Sequence, residues 1–337
     1  MVADERQKAA AIPGWRRLPL LLYGIVVALV GLAIHLVGAI AFVLTDTVAP
    51  GLLAPVWPGR LLVISGGLIL LAIGLAALDL LVLLREKRQR HDVRVDPPAV
   101  RRLTVVLTAF DDEESIGPAV DDFRTHPLVR RVIVVDNNSR DRTAEVAREH
   151  GAIVVRESQP GYGWCVYRAL QEGLRYTDTE LTLLCEGDRT FRAHDIDKFM
   201  SYIAHADIVN GTRIVEQLRA HRTQLTSFMY YGNFFVGKLL EAKHLGKGTF
   251  TDVGTTYKLC RNSTLCVLLP LLSPAINLEF NAHFLDTALS GPFHIVECPI
   301  TFHNRVGSSK GGNASNRRAF AVGMRMIRGI VWGWPNA

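Results

Sequence analysis

Two long apolar runs set the first limit on what this chain can fold into. From Leu18 to Leu44 the only Asp, Glu, Lys, Arg or His is His35, and from Leu61 to Leu84 it is Asp79. Each run reaches the roughly 20 residues that cross a bilayer as a helix, and in hydrocarbon a helix is the way a single segment satisfies its own backbone. The pattern predicts a transmembrane hairpin over residues 18–91, with helices at about 18–44 and 61–84. A cleaved signal peptide is not expected, because the first run is too long for a signal core and a second follows closely. Arg6, Lys8, Arg16 and Arg17 precede the spans, Arg85, Lys87, Arg88 and Arg90 follow them, and the turn from Asp46 to Pro58 has no Lys or Arg. That bias predicts a cytosolic amino terminus, residues 1–17, and a cytosolic domain after the hairpin. His35 and Asp79 read either as functional groups in lipid or as a packed neutral histidine and an interfacial carboxylate. Gly66, Gly67 and Gly74 permit close helix contact, inside the hairpin or between copies in a homo-oligomer.

The net charge of +6 and pI near 9.2 could suggest nucleic acid. Mean hydropathy is +0.18, however, and the basic residues flank the apolar runs, so a bilayer rather than nucleic acid is the expected partner. The cysteines, Cys165, Cys185, Cys260, Cys266 and Cys298, number five and form no C-x-x-C pair. Reduced thiols in a cytosolic domain are expected, with neither disulfides nor zinc.

Residues 92–102 contain Pro97 and Pro98 and read as a short stiff linker. After them the pattern changes. Leu103–Thr108, Val132–Val135, Ile153–Val155 and Leu181–Leu184 are short β-rich apolar runs separated by segments of helical length, among them Asp141–Gly151 with its capping residue and terminal glycine. Such alternation predicts βαβ units and an α/β fold with a mostly parallel sheet flanked by helices.

The runs end on polar chemistry. The first enters Phe110, Asp111, Asp112, Glu113 and Glu114, the second Asp136, Asn137, Asn138 and Ser139, and the fourth Glu186, Gly187 and Asp188. Ligands of open α/β sheets collect at the carboxyl ends of strands. Acids gathered there repel one another unless a cation or hydrogen-bond donors lie between them. A nucleotide with a divalent metal supplies both: Glu186 and Asp188 are hard oxygen donors for the metal, while Asp112, Asp136 and Asn137 share hydrogen bonds with base and ribose and Phe110 packs on the base.

These stretches resemble family 2 glycosyltransferases of the GT-A fold, a nucleotide-diphospho-sugar transferase fold, and more particularly the polyprenyl-phosphate and dolichol-phosphate sugar synthases. Thr108–Glu113 stands where that family has a Pro-x-Tyr-Asn-Glu-Glu type of motif, Val135–Thr143 where it has Asp-Asp-Gly-Ser-x-Asp-x-Thr, and Glu186-Gly187-Asp188 where it has Asp-x-Asp. Three positions depart from the pattern: Asp for Glu at 112, Asn for the second acid at 137, and Glu for the first acid at 186. Asp188 matches the metal-holding acid. Gln159–Gly163 resembles the family's glycine-rich turn into the third helix.

Further along, Asn210–Arg213 resembles Gly-Ser-Arg, and Arg222 with Thr226 resembles Arg-x-x-x-Ser. On a helix those two positions share a face, so a guanidinium and a hydroxyl could grip one phosphate. Thr251–Lys258 looks like Asp-x-x-Ser-Gly-Phe and makes Asp252 an active-site carboxylate; Glu279 falls where related enzymes carry a general base. His303–Gly312 resembles Arg-x-Gly-x-Ser-Lys, implying a loop in which Arg305, Ser309 and Lys310 join Arg213 around a diphosphate or lipid phosphate. No Walker A spacing occurs. Residues 313–337, with Arg325, Arg328, Trp332 and Trp334, read as an amphipathic carboxy-terminal helix lying in the membrane interface or packed on the domain.

The resemblance, over about residues 103–312, implies an inverting hexosyltransferase anchored in the inner (plasma) membrane. It would move a sugar from a nucleoside-diphosphate sugar to a polyprenyl phosphate with Mg²⁺ or Mn²⁺. Transfer to another lipid or a glycan hydroxyl, and a catalytically silent nucleotide-sugar-binding membrane subunit, are the alternatives.

Overall fold

The computed structural model describes residues 18–48, 56–88, 93–221, 223–307 and 315–335. The basic segment ending at Arg17, Arg90, and the phosphate-site candidates Arg222, Ser309 and Lys310 lie outside them. The chain divides into two compact units, Met1–Arg90 with Ala242–Gly246, and His91–Glu241 with Lys247–Ala337.

In the first unit, α1 (Leu20–Val43) and α2 (Val56–Ala77, continued by a π turn Leu78–Leu83 and a last turn Leu84–Lys87) are each long and apolar enough to cross a membrane. The second helix is longer at both ends than the expected 61–84, because Trp57–Arg60 and Arg85–Lys87 continue its backbone ladder although they interrupt the apolar run. The two helices pack through Gly24, Gly31 and Gly38 of α1, where a Cβ would stand 3.0–3.2 Å from Ala72, Leu68, Ile69 and Leu61. Gly66, Gly67 and Gly74 have nothing within 4 Å of a Cβ and are not the packing stripe. Of the two ionisable groups, Asp79 is buried and His35 is exposed; His35 Nδ1 lies 3.0 Å from Ser65 Oγ. Asp79 accepts the Leu21 N–H at 2.7 Å and pairs with Lys87, so it caps the first turn of α1.

The second unit is a mixed seven-stranded sheet in the order β3-β2-β1-β4-β6-β5-β7. Its strands are β1 (Leu103–Ala109), β2 (Val129–Asp136), β3 (Ile153–Arg156), β4 (Leu181–Glu186), β5 (Ile208–Thr212), β6 (Lys258–Arg261) and β7 (Ile295–Pro299). The helices that matter for the site are α3 (Glu113–Thr125), α4 (Thr143–Glu149), α5 (Tyr162–Gly173), α6 (Asp195–Tyr202), α7 (Ser227–Lys243), α8 (Asn262–Leu268), α9 (Phe280–Ser290) and α10 (Asn316–Trp332). All pairings are parallel except those of β6, which runs against both β4 and β5. Every residue of β1 is buried, as expected for a central strand covered on both faces. Tyr257, fully buried, has Phe191, Phe199 and Phe123 around it at ring separations of 5.1, 4.8 and 6.2 Å, which seals the core beneath the strand ends.

Register decides where the chemistry falls. Ala109 is opposite Asp136 and Thr108 is opposite Glu186, so the ends of β2, β1 and β4 finish in one row.

Candidate active site

Each of the three turns leaving that row contains a non-glycine residue with positive φ: Asp111 (50°), Asn138 (62°) and Arg189 (63°). Side chains are uncommon there, so the surrounding hydrogen bonds hold the backbone in place. Asn137 N–H donates to Ala109 O at 3.0 Å and Gly187 N–H to Thr108 O at 2.9 Å. The β1 and β2 turns are also laced by side chains, with Asp111 N–H donating to Ser139 Oγ at 2.9 Å and Arg140 N–H to Asp111 Oδ1 at 2.7 Å. Gly187 is required by close approach, since a Cβ would meet Ile116 Cδ1 at 2.5 Å.

The turns open into a cavity of about 1260 Å³. One wall is polar: Phe110, Asp112, Asn137, Asn138, Glu186, Asp188, Arg213 and Arg305. The facing wall is mostly apolar and comes from α7 (Phe228, Tyr231, Phe235 and Val236) and α10 (Phe320, Val322, Met324, Met326 and Ile327). The two are joined by Tyr162, Asn277 and Asn281.

Asp188 is 1% exposed. Its Oδ1 accepts from Thr190 N–H at 3.0 Å and Thr190 Oγ1 at 2.6 Å. Its Oδ2 lies 2.9 Å from Arg305 Nη1 but without hydrogen-bond alignment, so one buried carboxylate oxygen has charge nearby and no directed donor. Among the described residues no three His, Cys, Asp or Glu side chains form a metal-holding group. A divalent cation at Asp188 Oδ2 would therefore take most of its ligands from a bound molecule, as hard cations held by one or two carboxylates and phosphate oxygens do. Glu186 also lines the cavity: burial, and next the Asp188 charge, push its carboxyl up to about 7, and its Oε1 accepts from Thr256 Oγ1 at 2.7 Å.

Several expected site residues are held elsewhere. Asn137 Nδ2 donates to Glu157 O at 3.2 Å and Gln159 O at 2.6 Å, while its Oδ1 accepts from Gly161 N–H at 2.9 Å. It staples the glycine turn to the β2 end with both of its amide N–H groups spent on backbone carbonyls; an aspartate could not donate to those carbonyls, which accounts for the departure at 137. Asp136 accepts from Ser139 N–H at 3.3 Å and is not on the cavity wall. Asp252 is fully buried, with Arg213 Nε at 2.6 Å and Nη2 at 2.8 Å and with the Arg213 and Gly254 N–H groups at 3.1 Å. Burial alone would raise its pKa, but Arg213 holds it below the ordinary carboxylate range. Asp252 thus orients Arg213, which does reach the cavity, and does not itself face it. Glu279 is paired with Arg325 of α10 and is likewise off the wall. Thr226 precedes α7 and caps it, accepting Met229 N–H at 3.3 Å, so it stands before the helix rather than on its face, while Arg222 lies outside the described residues.

Tyr162, Asn277, Asn281 and Thr256 were not singled out by the sequence. Asn277 stands two positions before Glu279 and accepts Tyr162 N–H at 2.7 Å. Asn281 Nδ2 donates to Tyr162 Oη at 2.9 Å and to Thr256 Oγ1 at 3.2 Å, and Tyr162 Oη also meets Thr256 Oγ1. Their helical and turn positions carry no polar periodicity, so no local signal marks them. The carboxy-terminal helix packs on the domain: Val322, Met326 and Ile330 are buried, and Trp334 Nε1 donates to Asp286 at 2.7 Å.

A row of acidic strand ends over a nucleotide-sized cavity, on a sheet with one reversed strand, is the arrangement of GT-A proteins. The glycosyl transferase family 2 model matches residues 104–265, and this chain carries a family 2 glycosyltransferase domain with the GT-A fold. An uncharacterized glycosyltransferase of Mycobacterium tuberculosis is 40% identical over 112 residues, covering 33% of this chain and 48% of that protein. The chain thus spans about half the length of such curated relatives. A dolichyl-phosphate hexose transferase of Haloferax volcanii is 26% identical over 213 residues, covering 62% of this chain and 86% of that protein. Among solved structures, glucosyl-3-phosphoglycerate synthase from Mycobacterium tuberculosis in complex with Mn²⁺, uridine diphosphate and phosphoglyceric acid aligns with a TM-score of 0.51 at 18% identity. That alignment covers 71% of this chain and 81% of the synthase chain.

Proposed function

We propose that this chain is a membrane-anchored inverting glycosyltransferase that moves a sugar from a nucleoside-diphosphate sugar to a polyprenyl phosphate on the cytosolic face. The observation that carries the reading is the two-sided cavity, in which the polar strand ends and the apolar faces of α7 and α10 line one space. A charged head and a hydrocarbon tail match those two walls. The Haloferax volcanii relative named for dolichyl phosphate supports the lipid acceptor, and the synthase solved with Mn²⁺ and uridine diphosphate supports a nucleotide donor with a divalent ion, Mg²⁺ or Mn²⁺.

The nucleotide lies against Phe110, Asp112 and the Asn137 turn. Asp188 would hold the cation, whose charge would offset that of the departing diphosphate. An acceptor phosphate oxygen attacks the anomeric carbon, the bond to the diphosphate breaks, and its electron pair leaves with the nucleoside diphosphate. No proton has to be removed from an ionised phosphate. This suits a site whose two candidate bases, Asp252 and Glu279, lie off the cavity wall and are already ion-paired. A hydroxyl acceptor would need such a base. Arg213, whose Nε and Nη2 donate to Asp252, binds phosphate oxygens from the cavity wall. The two apolar helices anchor the protein in the inner membrane, and the Lys and Arg flanks set both ends in the cytosol.

The test is purified full-length protein in detergent with Mg²⁺ or Mn²⁺, a panel of nucleotide sugars and polyprenyl phosphate, read by mass spectrometry of the lipid. A lipid-linked sugar that disappears with Asp188→Ala is the expected result. Nucleotide binding with no transfer and no donor hydrolysis across the panel would sink the proposal in favour of a silent binding subunit.

A further inference from the structure

Arg305 occupies an unusual place on the polar wall. Its Nη2 lies 3.0 Å from Asp112 Oδ1 and its Nη1 2.9 Å from Asp188 Oδ2, so one guanidinium bridges acids from the ends of two different strands, β1 and β4. The side chain is only 14% exposed, and its Nε is buried without a hydrogen-bond partner. The backbone on both sides of it is tied to the acid turn itself: His303 N–H donates to Thr190 O at 2.9 Å, and Val306 N–H to Asp188 O at 3.2 Å. Arg305 can therefore leave the acids by turning its side chain, without moving the loop that carries it.

We propose that Arg305 is a built-in counter-cation that competes with a divalent metal for Asp188, so that metal binds well only together with a nucleoside diphosphate. A metal ion on Asp188 Oδ2 and a guanidinium 2.9 Å from the same oxygen repel each other, so either excludes the other. A diphosphate removes the conflict. Its oxygens complete the shell of the metal and give the displaced guanidinium, including the unpartnered Nε, a bidentate anionic partner. Binding of metal and nucleotide is then coupled through one side chain, and by linkage each must raise the affinity of the other by the same factor. The device keeps Asp188 neutralised between turnovers and keeps metal from loading the site without donor.

This rests on the reading of Asp188 as the cation-holding acid, and it is tested without turnover. Full-length protein in detergent is titrated with MnCl2 alone, free Mn²⁺ being read by electron paramagnetic resonance, and then with MnCl2 in the presence of UDP or GDP. Arg305→Gln is expected to bind Mn²⁺ alone about tenfold more tightly than the parent chain, a factor within the usual range for coupled sites. Arg305→Lys, which keeps the charge, stays near the parent. The gain is expected to vanish in Arg305→Gln/Asp188→Asn, and the enhancement of Mn²⁺ binding by nucleotide is expected to shrink in Arg305→Gln. Equal or weaker Mn²⁺ binding by Arg305→Gln, in protein whose thermal unfolding matches the parent, overturns the proposal. So does a gain that survives Asp188→Asn. Failure of sugar transfer with the Mn²⁺ gain intact would count against the proposed activity and leave this inference standing.

Discussion

Asp252→Ala separates a structural carboxylate from a chemical one. Asp252 and Arg213 are both buried, and the pair makes two contacts at 2.6 and 2.8 Å. Removing the carboxylate leaves a buried guanidinium without its counter-charge, and such a break costs about 3–5 kcal/mol. The N–H groups of Arg213 and Gly254, each 3.1 Å from the carboxylate, lose their acceptor as well. For a domain of this size each kcal/mol moves the midpoint by about 2–4 °C, so the expected drop in Tm is roughly 6–20 °C. The assay is thermal unfolding of the full chain in detergent, followed by intrinsic fluorescence. The double variant Arg213→Met/Asp252→Leu should recover part of that loss, because an apolar pair of similar volume removes the uncompensated charge. If Asp252→Ala shifts Tm by less than about 3 °C while sugar transfer collapses, the carboxylate acts on the reacting groups and the argument is refuted.

Three further outcomes follow from the geometry. Asn137→Asp, which restores the residue the family pattern favours, should destabilise the second unit by about 1–3 kcal/mol and weaken nucleotide binding, because the carbonyls of Glu157 and Gln159 lose their donor; thermal unfolding and a nucleotide titration check it. Gly163→Ala should cost about 3 kcal/mol or more, since its Cβ would fall 1.8 Å from Ile276 O, whereas Gly74→Ala should leave unfolding unchanged because its Cβ meets nothing within 4 Å. Lys258 is held by burial at about 7, below the usual 10.5. Between those values the unfolded chain carries a proton that the folded chain lacks, so this lysine contributes stability that rises from pH 7 to 10.5 and is lost as pH falls through 7. A stability difference between the parent chain and Lys258→Met that does not change over that window would contradict the assignment.

Much of this protein was legible from local pattern. The apolar runs marked both long helices of the first unit, because a helix long and apolar enough to cross a membrane writes its length directly into composition. The β-rich runs marked β1 to β4, and the polar residues at their ends marked the turns, because burial on both faces leaves strand ends as the places where acids can stand. Phe110, Asp112, Glu186, Asp188, Arg213 and Arg305 all line the cavity. The hydrogen-bond partners were not legible. Asn137 and Asp252 read as ligand-facing groups, yet their partners, the carbonyls of Glu157 and Gln159 for one and Arg213 for the other, are brought to them by folding. The same holds for Thr226, whose place before α7 depends on where that helix begins.

Composition and periodicity alone determined that the chain has two membrane-length helices and an α/β domain with acids at its strand ends, since each of these is a property of neighbouring residues. The tertiary structure decided which acids remain exposed to a ligand and which are consumed. It laid α7 and α10 against the polar wall as an apolar counterface, and it placed Arg305 between Asp112 and Asp188, more than a hundred residues away from either in sequence. Those outcomes depend on distances in space, and no stretch of sequence short enough to carry a motif encodes them.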